Sequence, residues 1–150
     1  MIPVEPQHRK VQKASVPVSE AVLDQLKQRA REAAGHAYAP YSGFAVGAAV
    51  LDDSGEIHSS ANVENASFGL SNCAERNAIF QAVAHGARKL QALAIYTPTA
   101  AATMPCGACR QVLMEFGADA VVVCCTDDAA QELRFGLADL LPAAFGPTSL

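Results

Sequence analysis

Three cysteines in two short stretches constrain this 150-residue chain more than anything else in it. The first stretch, NVENASFGLSNCAERNAIFQ (Asn62 to Gln81), holds Cys73 and Glu75; the second, MPCGACRQ (Met104 to Gln111), holds Cys106 and Cys109. Three thiols are one short of a closed structural zinc site, and a catalytic zinc keeps its fourth position for water. Glu75, two residues beyond a thiol, could handle that water's protons. A lone Cys-x-x-Cys reads equally well as a redox pair or half of a zinc knuckle. Pro105, the upstream Cys73 and Glu75 at its offset make coincidence a poor account.

The hydrophobic pattern around these stretches reads as α/β. Val22, Leu23, Leu26, Ala30 and Ala33 follow a helical period, with Ser19 as N-cap and Gly35 as stop, so this helix should cover one face of a sheet. HAYAPYSG, His36 to Gly43, is a turn-rich loop leading to a strand from Phe44 to Leu51. DDSGE reads as a hairpin turn and Glu56 to Val63 as the returning strand. Gly47, inside the first strand, points to close backbone approach by another element. Cys73 to Ala84 is a helix with Asn72 as N-cap, which puts Cys73 and Glu75 in its first turn. A helix N-terminus favours negative charge and so supports a thiolate and a carboxylate there.

Leu90 to Tyr96 is short and apolar, as a buried central strand should be. Pro105 suits the start of a helix from Cys106 to Phe116, closed by Gly117. Both cysteine segments therefore open helices. Ala118 to Thr126 is a fourth strand and Gln131 to Phe135 a fifth, joined by too few residues for a parallel crossover, so the fifth should run antiparallel. Leu137 to Leu141 is a short helix. Residues 1–18, with Pro3, Pro6 and Pro17 among scattered charges, read as a loosely held arm, and residues 19–150 as one catalytic domain.

A net charge of −4, with no basic stripe beyond Arg9, Lys10 and Lys13 near the start, argues against a nucleic-acid partner and favours a small substrate. Five cysteines without disulfide-scaffold spacing, and no signal sequence or long apolar span, lead us to expect a cytoplasmic protein with no membrane partner.

Cys-x-Glu followed by Pro-Cys-x-x-Cys, with three thiolates on the metal, is a pattern known from zinc nucleobase deaminases. YSGFAVGAAV, NVENASFG, CAERNAIFQAV, PCGACRQVLMEFG and LLPAAFGP together resemble cytidine deaminases of the small homotetrameric kind, over roughly Ala37 to Pro147. That resemblance implies a three-layer α/β/α sandwich with a five-stranded mixed sheet. It implies hydrolysis of cytidine and deoxycytidine to uridine and deoxyuridine with release of ammonia, one zinc ion per chain, and sites near the subunit interfaces of a tetramer.

Residue by residue, the resemblance makes Cys73, Cys106 and Cys109 the metal ligands and Glu75 the proton shuttle. Arg76 would donate hydrogen bonds to a cysteine sulfur. Asn62 and Glu64 would hold the ribose 3′-OH, Phe44 would lie beside the pyrimidine ring, and main-chain groups at Ala66 and Ala74 would contact the base. Phe145 would reach a neighbouring subunit's site. Phe68 stands where a tyrosine is common and Met104 where a serine is common, each removing a hydroxyl.

Each of these residues also has a plainer reading. Asn72 and Glu75 stand at capping-box spacing, so Glu75 could be a helix cap. Arg76 could be a surface arginine, Asn62 and Glu64 a polar strand end, Phe44 core, and Phe145 tail packing. Cys124 and Cys125, adjacent in a valine-rich strand, should face opposite sides of the sheet as core. His36, His58 and His85 read as ordinary loop or surface histidines. Two other functions compete: deamination of another aminopyrimidine nucleoside, and a zinc-stabilised binding module without catalysis.

Overall fold

The structure is a computed structural model and describes residues 17–150. Residues 1–16 of the expected arm lie outside them. Among the described residues, four α-helices and five strands follow one another as α1 (Glu20–Ala34), β1 (Gly47–Asp52), β2 (Ile57–Ala61), α2 (Ala74–Ala84), β3 (Leu90–Tyr96), α3 (Gly107–Phe116), β4 (Val121–Cys125), β5 (Leu133–Gly136) and α4 (Leu137–Leu140). The strands form one sheet in the order β2-β1-β3-β4-β5. Only β3 and β4 run parallel, joined by α3; β5 pairs antiparallel with β4, as the short connection requires.

The sheet has helices on both faces. α1 packs on one through Leu23, Leu26, Ala30 and Ala34, against Ala49, Leu51, Ala92, Ala94 and Val123. α2, α3 and α4 cover the other, where Ile79, Leu113 and Leu137 meet Val50, Leu93, Ile95 and Val122. β3 lies at the centre and six of its seven residues are buried, which is why it reads as an unbroken apolar run. Cys124 packs into the α2/α3 face and Cys125 into the α1 face, both as free thiols, as strand alternation demands.

Ser19 caps α1 by accepting from the Val22 backbone N–H. Asn72 does not cap α2. Its backbone pairs with Val63 and its side-chain amide donates to Asn77 Oδ1, so the helix begins one residue later, with Cys73 at the N-cap. Asn77 in turn donates to the Ala61 carbonyl, tying α2 to the end of β2.

The hairpin between β1 and β2 corrects a second expectation. His58 is no surface histidine: it is buried and 2.9 Å from Asp52 Oδ2. The other carboxylate oxygen of Asp52 accepts from the Ser54 N–H, the Ser54 hydroxyl and the Glu56 N–H, and so builds the turn. His85, on the surface, bonds the Gln81 carbonyl and leans on His58 with ring centroids 5.7 Å apart.

Candidate active site

α2 and α3 start on the same edge of their layer, and each starts with a cysteine. Cys73 and Cys106 are the two N-cap residues, with extended ψ angles of 152° and 166° that carry their side chains off the helix ends. Cys109 sits in the first turn of α3 and is buried. The three sulfurs lie within 4.8 Å of one another; Cys73 to Cys106 is 4.0 Å and Cys106 to Cys109 is 3.4 Å. A tetrahedral zinc with Zn–S bonds near 2.3 Å holds its sulfurs about 3.8 Å apart, so the spacing suits that ion and is far too long for a disulfide. Burial is graded across the set, from buried Cys109 through half-buried Cys73 to exposed Cys106, and one side of the cluster is open.

Electrostatics favour an ionised Cys73. The Cys73 thiol is lowered to about 5, first by the hydrogen bond from Cys109 and then by Arg76, against the opposing effect of burial. Cys109, the donor in that pair, is pushed up correspondingly. Arg76 donates from Nη2 to Cys73 Sγ at 3.4 Å, while its Nε is buried with no partner among the described residues. A guanidinium already bonded to Cys73 and raised by both Cys73 and Cys109 is the donor that a metal-bound thiolate would use.

Glu75 is 5% exposed and its carboxyl is raised to about 7, chiefly by burial and secondarily by the Cys73 charge. It stands at the second helical position of α2, one short of where a capping box requires it, and Asn72 caps nothing. The helix-cap reading of Glu75 therefore fails on geometry.

Asn62 and Glu64 follow β2 and both turn toward the loop before β1. Asn62 Oδ1 accepts from the Val46 N–H at 2.9 Å and its amide donates to the Phe44 carbonyl at 2.7 Å. Glu64 accepts from the backbone N–H groups of Tyr41 and Ser42 and from the Ser42 hydroxyl. These bonds, the Ser42 side chain first among them, lower the Glu64 carboxyl. The pair thus fixes the segment that carries Phe44, itself 38% exposed rather than core. Ser42 was not singled out by sequence reasoning; its oxygen also accepts from the Phe44 N–H, a local serine turn signalled by the Ser-Gly-Phe order.

An open cleft of about 270 Å³ is lined by Tyr41, Ser42, Glu64, Phe68 and Ser71. Tyr41 and Phe68 meet edge to face at 5.7 Å. A larger hollow of about 520 Å³ lies between α1 and β2, lined by Arg29, Glu32, His36 and Ser59 among others, and contains no thiol. The thiols and the Asn62/Glu64 pair mark the candidate site here, not volume. Ala74 is buried at the start of α2, Ala66 is exposed in the loop before it, and Phe145 is 61% exposed in the tail, its carbonyl held by Gln111.

A family model for the cytidine and deoxycytidylate deaminase zinc-binding region matches residues 21–125. The chain is 41% identical over 128 residues to a cytidine deaminase of Sporosarcina psychrophila, covering 85% of this chain and 94% of that one. It is 45% identical over 121 residues to the cytidine deaminase of Mycobacterium tuberculosis strain H37Rv, covering 81% and 87%. Among solved structures, cytidine deaminase from Burkholderia pseudomallei superimposes with a TM-score of 0.77 at 44% identity, over 81% of this chain and 98% of that chain. The Mycobacterium tuberculosis structure does so with a TM-score of 0.71 at 43% identity, over 83% and 97%.

Proposed function

We infer the reaction from the premise that this chain belongs to the cytidine and deoxycytidylate deaminase zinc-binding family. It is a zinc-dependent hydrolase that deaminates cytidine, and we extend the substrates to deoxycytidine. Water oxygen bonds to ring C4, the bond from C4 to the exocyclic nitrogen breaks, and uridine or deoxyuridine leaves with ammonia. The observation that carries this reading is the meeting of three sulfurs from two helix starts around one buried carboxyl.

Zinc held by Cys73, Cys106 and Cys109 would supply Lewis acidity toward water. The protein's own groups do the rest. Glu75, its carboxyl poised near neutrality, takes a proton from the attacking water, gives one to ring N3 so that C4 accepts the oxygen, and passes a proton to the departing amine. Arg76 draws charge off Cys73, which otherwise opposes ionisation of the water. Asn62 and Glu64 present an amide beside a carboxylate to the ribose 3′-OH, with Phe44 against the ring and main-chain groups of Ala66 and Ala74 on the base. Both polar side chains already hold the Phe44 segment, so sugar grip and ring contact are one construction.

Assembly as a homotetramer belongs to the same proposal. Phe145, Phe80, Phe68 and Leu70 are exposed and are the apolar groups available for subunit contacts, and Phe145 is the residue we assign to a neighbour's site. We place the protein in cytoplasmic pyrimidine salvage, where its free thiols stay reduced. No described helix is long and apolar enough to cross a membrane.

The test is the zinc-to-chain ratio measured alongside product identification, following the absorbance loss of cytidine and deoxycytidine. One zinc per chain with uridine and ammonia formed supports the reading. Zinc held with both nucleosides untouched would hand the molecule to the binding-module alternative. Turnover only of a different aminopyrimidine nucleoside would move the substrate.

A further inference from the structure

Cys106 is the ligand least held by packing, since it is exposed while Cys109 is buried and Cys73 has Arg76. Its position depends on the two peptide planes that meet at its α-carbon. One plane carries the Pro105 carbonyl, the other the Cys106 carbonyl. A single residue binds both: the Arg110 backbone N–H donates to Cys106 O at 3.1 Å, and its side-chain Nε donates to Pro105 O at 2.8 Å. With both planes fixed, φ and ψ of Cys106 are fixed at −67° and 166°, and so is the direction in which its sulfur leaves the backbone. The same guanidinium donates from Nη1 to the Leu140 carbonyl at 2.9 Å, at the end of α4. The next residue, Gln111, holds the Phe145 carbonyl of the tail at 2.9 Å.

We propose that Arg110 is a positioning residue for the metal site: its planar fork clamps the Cys106 arm to the C-terminal segment, and so presets that thiol before zinc arrives. The Cys73 arm has a sulfur-directed arginine; the Cys106 arm has a backbone-directed one. Lysine could not replace it, because an ammonium is a point donor and the two carbonyls need a fork. This inference rests on the zinc reading above.

The experiment measures the rate at which zinc passes from purified protein to a chromogenic chelator in excess. Arg110→Gln and Arg110→Lys are compared with the parent and with Leu113→Ala, a core-cavity control in the same helix that touches neither carbonyl. Loss of an outer partner costs roughly 10–100-fold in metal affinity, and release from Arg110→Gln should quicken by about that factor. Arg110→Lys should fall between it and the parent. Release faster than in Leu113→Ala at equal or smaller loss of melting temperature supports the clamp. Release that matches the control at equal melting loss, or stays within about twofold of the parent, overturns it. If Arg110→Gln does not fold, Arg110→Lys alone decides by the same comparison. A parent chain without zinc would instead sink the reading on which the clamp rests.

Discussion

Replacing Gly47 by alanine tests how closely the site-bearing sheet is pressed onto the helix behind it. A Cβ at Gly47 would stand 1.8 Å from the Ala30 carbonyl oxygen, 2.6 Å from the Ala34 nitrogen and 2.9 Å from the Ala30 carbonyl carbon. All three are backbone atoms of α1, so no side chain can swing aside. Restoring ordinary contact near 3.5 Å requires α1 to retreat by well over 1 Å, and a gap of 0.5–1 Å already forfeits roughly a quarter to a half of the dispersion well. That loss spreads over Leu23, Leu26, Ala30 and Ala34, all buried against the same sheet face. Overpacking costs about 1–3 kcal/mol and the opened contact adds to it, so we expect about 3–5 kcal/mol in total. At about 2–4 °C per kcal/mol for a domain this size, the melting temperature should fall by roughly 6–20 °C. The thiols lie on the opposite face, so kcat per folded molecule, assayed well below the transition, should stay within about threefold of the parent. A melting curve shifted by less than about 2 °C would refute the packing argument. A large kcat loss in a chain that melts like the parent would refute the separation of faces.

Glu75→Gln should keep its zinc and lose turnover by at least about 10²–10⁴-fold, read from metal content and initial rates; a variant as active as the parent would leave Glu75 a mere buried carboxyl. Stripping zinc with a chelator should abolish activity and lower the melting temperature, with both restored by added zinc, because an ion bound only by the folded chain stabilises it. Asn62→Ala removes a bond to the Phe44 carbonyl and one from the Val46 N–H, so KM for cytidine should rise by about tenfold or more while kcat changes less; an unchanged KM speaks against the sugar grip. Burial pushes the Asp52 carboxyl up, but hydrogen bonds from Ser54, His58 and the Glu56 N–H outweigh it and hold it at about 2, below its ordinary 3.8. A depressed carboxylate contributes stability that is present above the ordinary value and lost as pH falls through the folded one. Denaturant melts taken between pH 5 and pH 2 should therefore show an acid loss that is flattened in Asp52→Asn, and equal slopes in the two proteins would reject it.

Long-range pairing explains what could and could not be read before the fold was known. α1, the central β3 and the reversed β5 follow from apolar period and loop length, which are local quantities. The site's residue types were legible for the same reason, since Cys73, Glu75, Cys106 and Cys109 lie in two short windows. The start of α2 was not, because the backbone of Asn72 pairs with Val63 and its amide with Asn77, and neither partner enters a cap rule. His58 escaped because its partner Asp52 sits across a hairpin whose register only the paired strands define. The Arg110 contact to Leu140 spans thirty residues and joins segments no motif connects.

That one-residue shift in α2 changes the chemistry of the site. With Asn72 as cap, an amide oxygen would occupy the first-turn N–H groups and Cys73 would lie inside the helix. Instead both site helices begin with a cysteine and neither has a side-chain cap, although a missing cap costs each about 1 kcal/mol. The uncapped N–H groups, which carry the positive end of each helix dipole, are left beside the sulfurs. Three thiolates exceed the charge of a divalent ion, and an excess of negative charge works against ionising a water at that ion. Arg76 offsets part of that excess through Cys73, and two bare helix ends offset more without adding a side chain to the open face. The stability forgone at the caps thus leaves two positive helix ends free to offset thiolate charge, which would favour ionising a water at a zinc bound there.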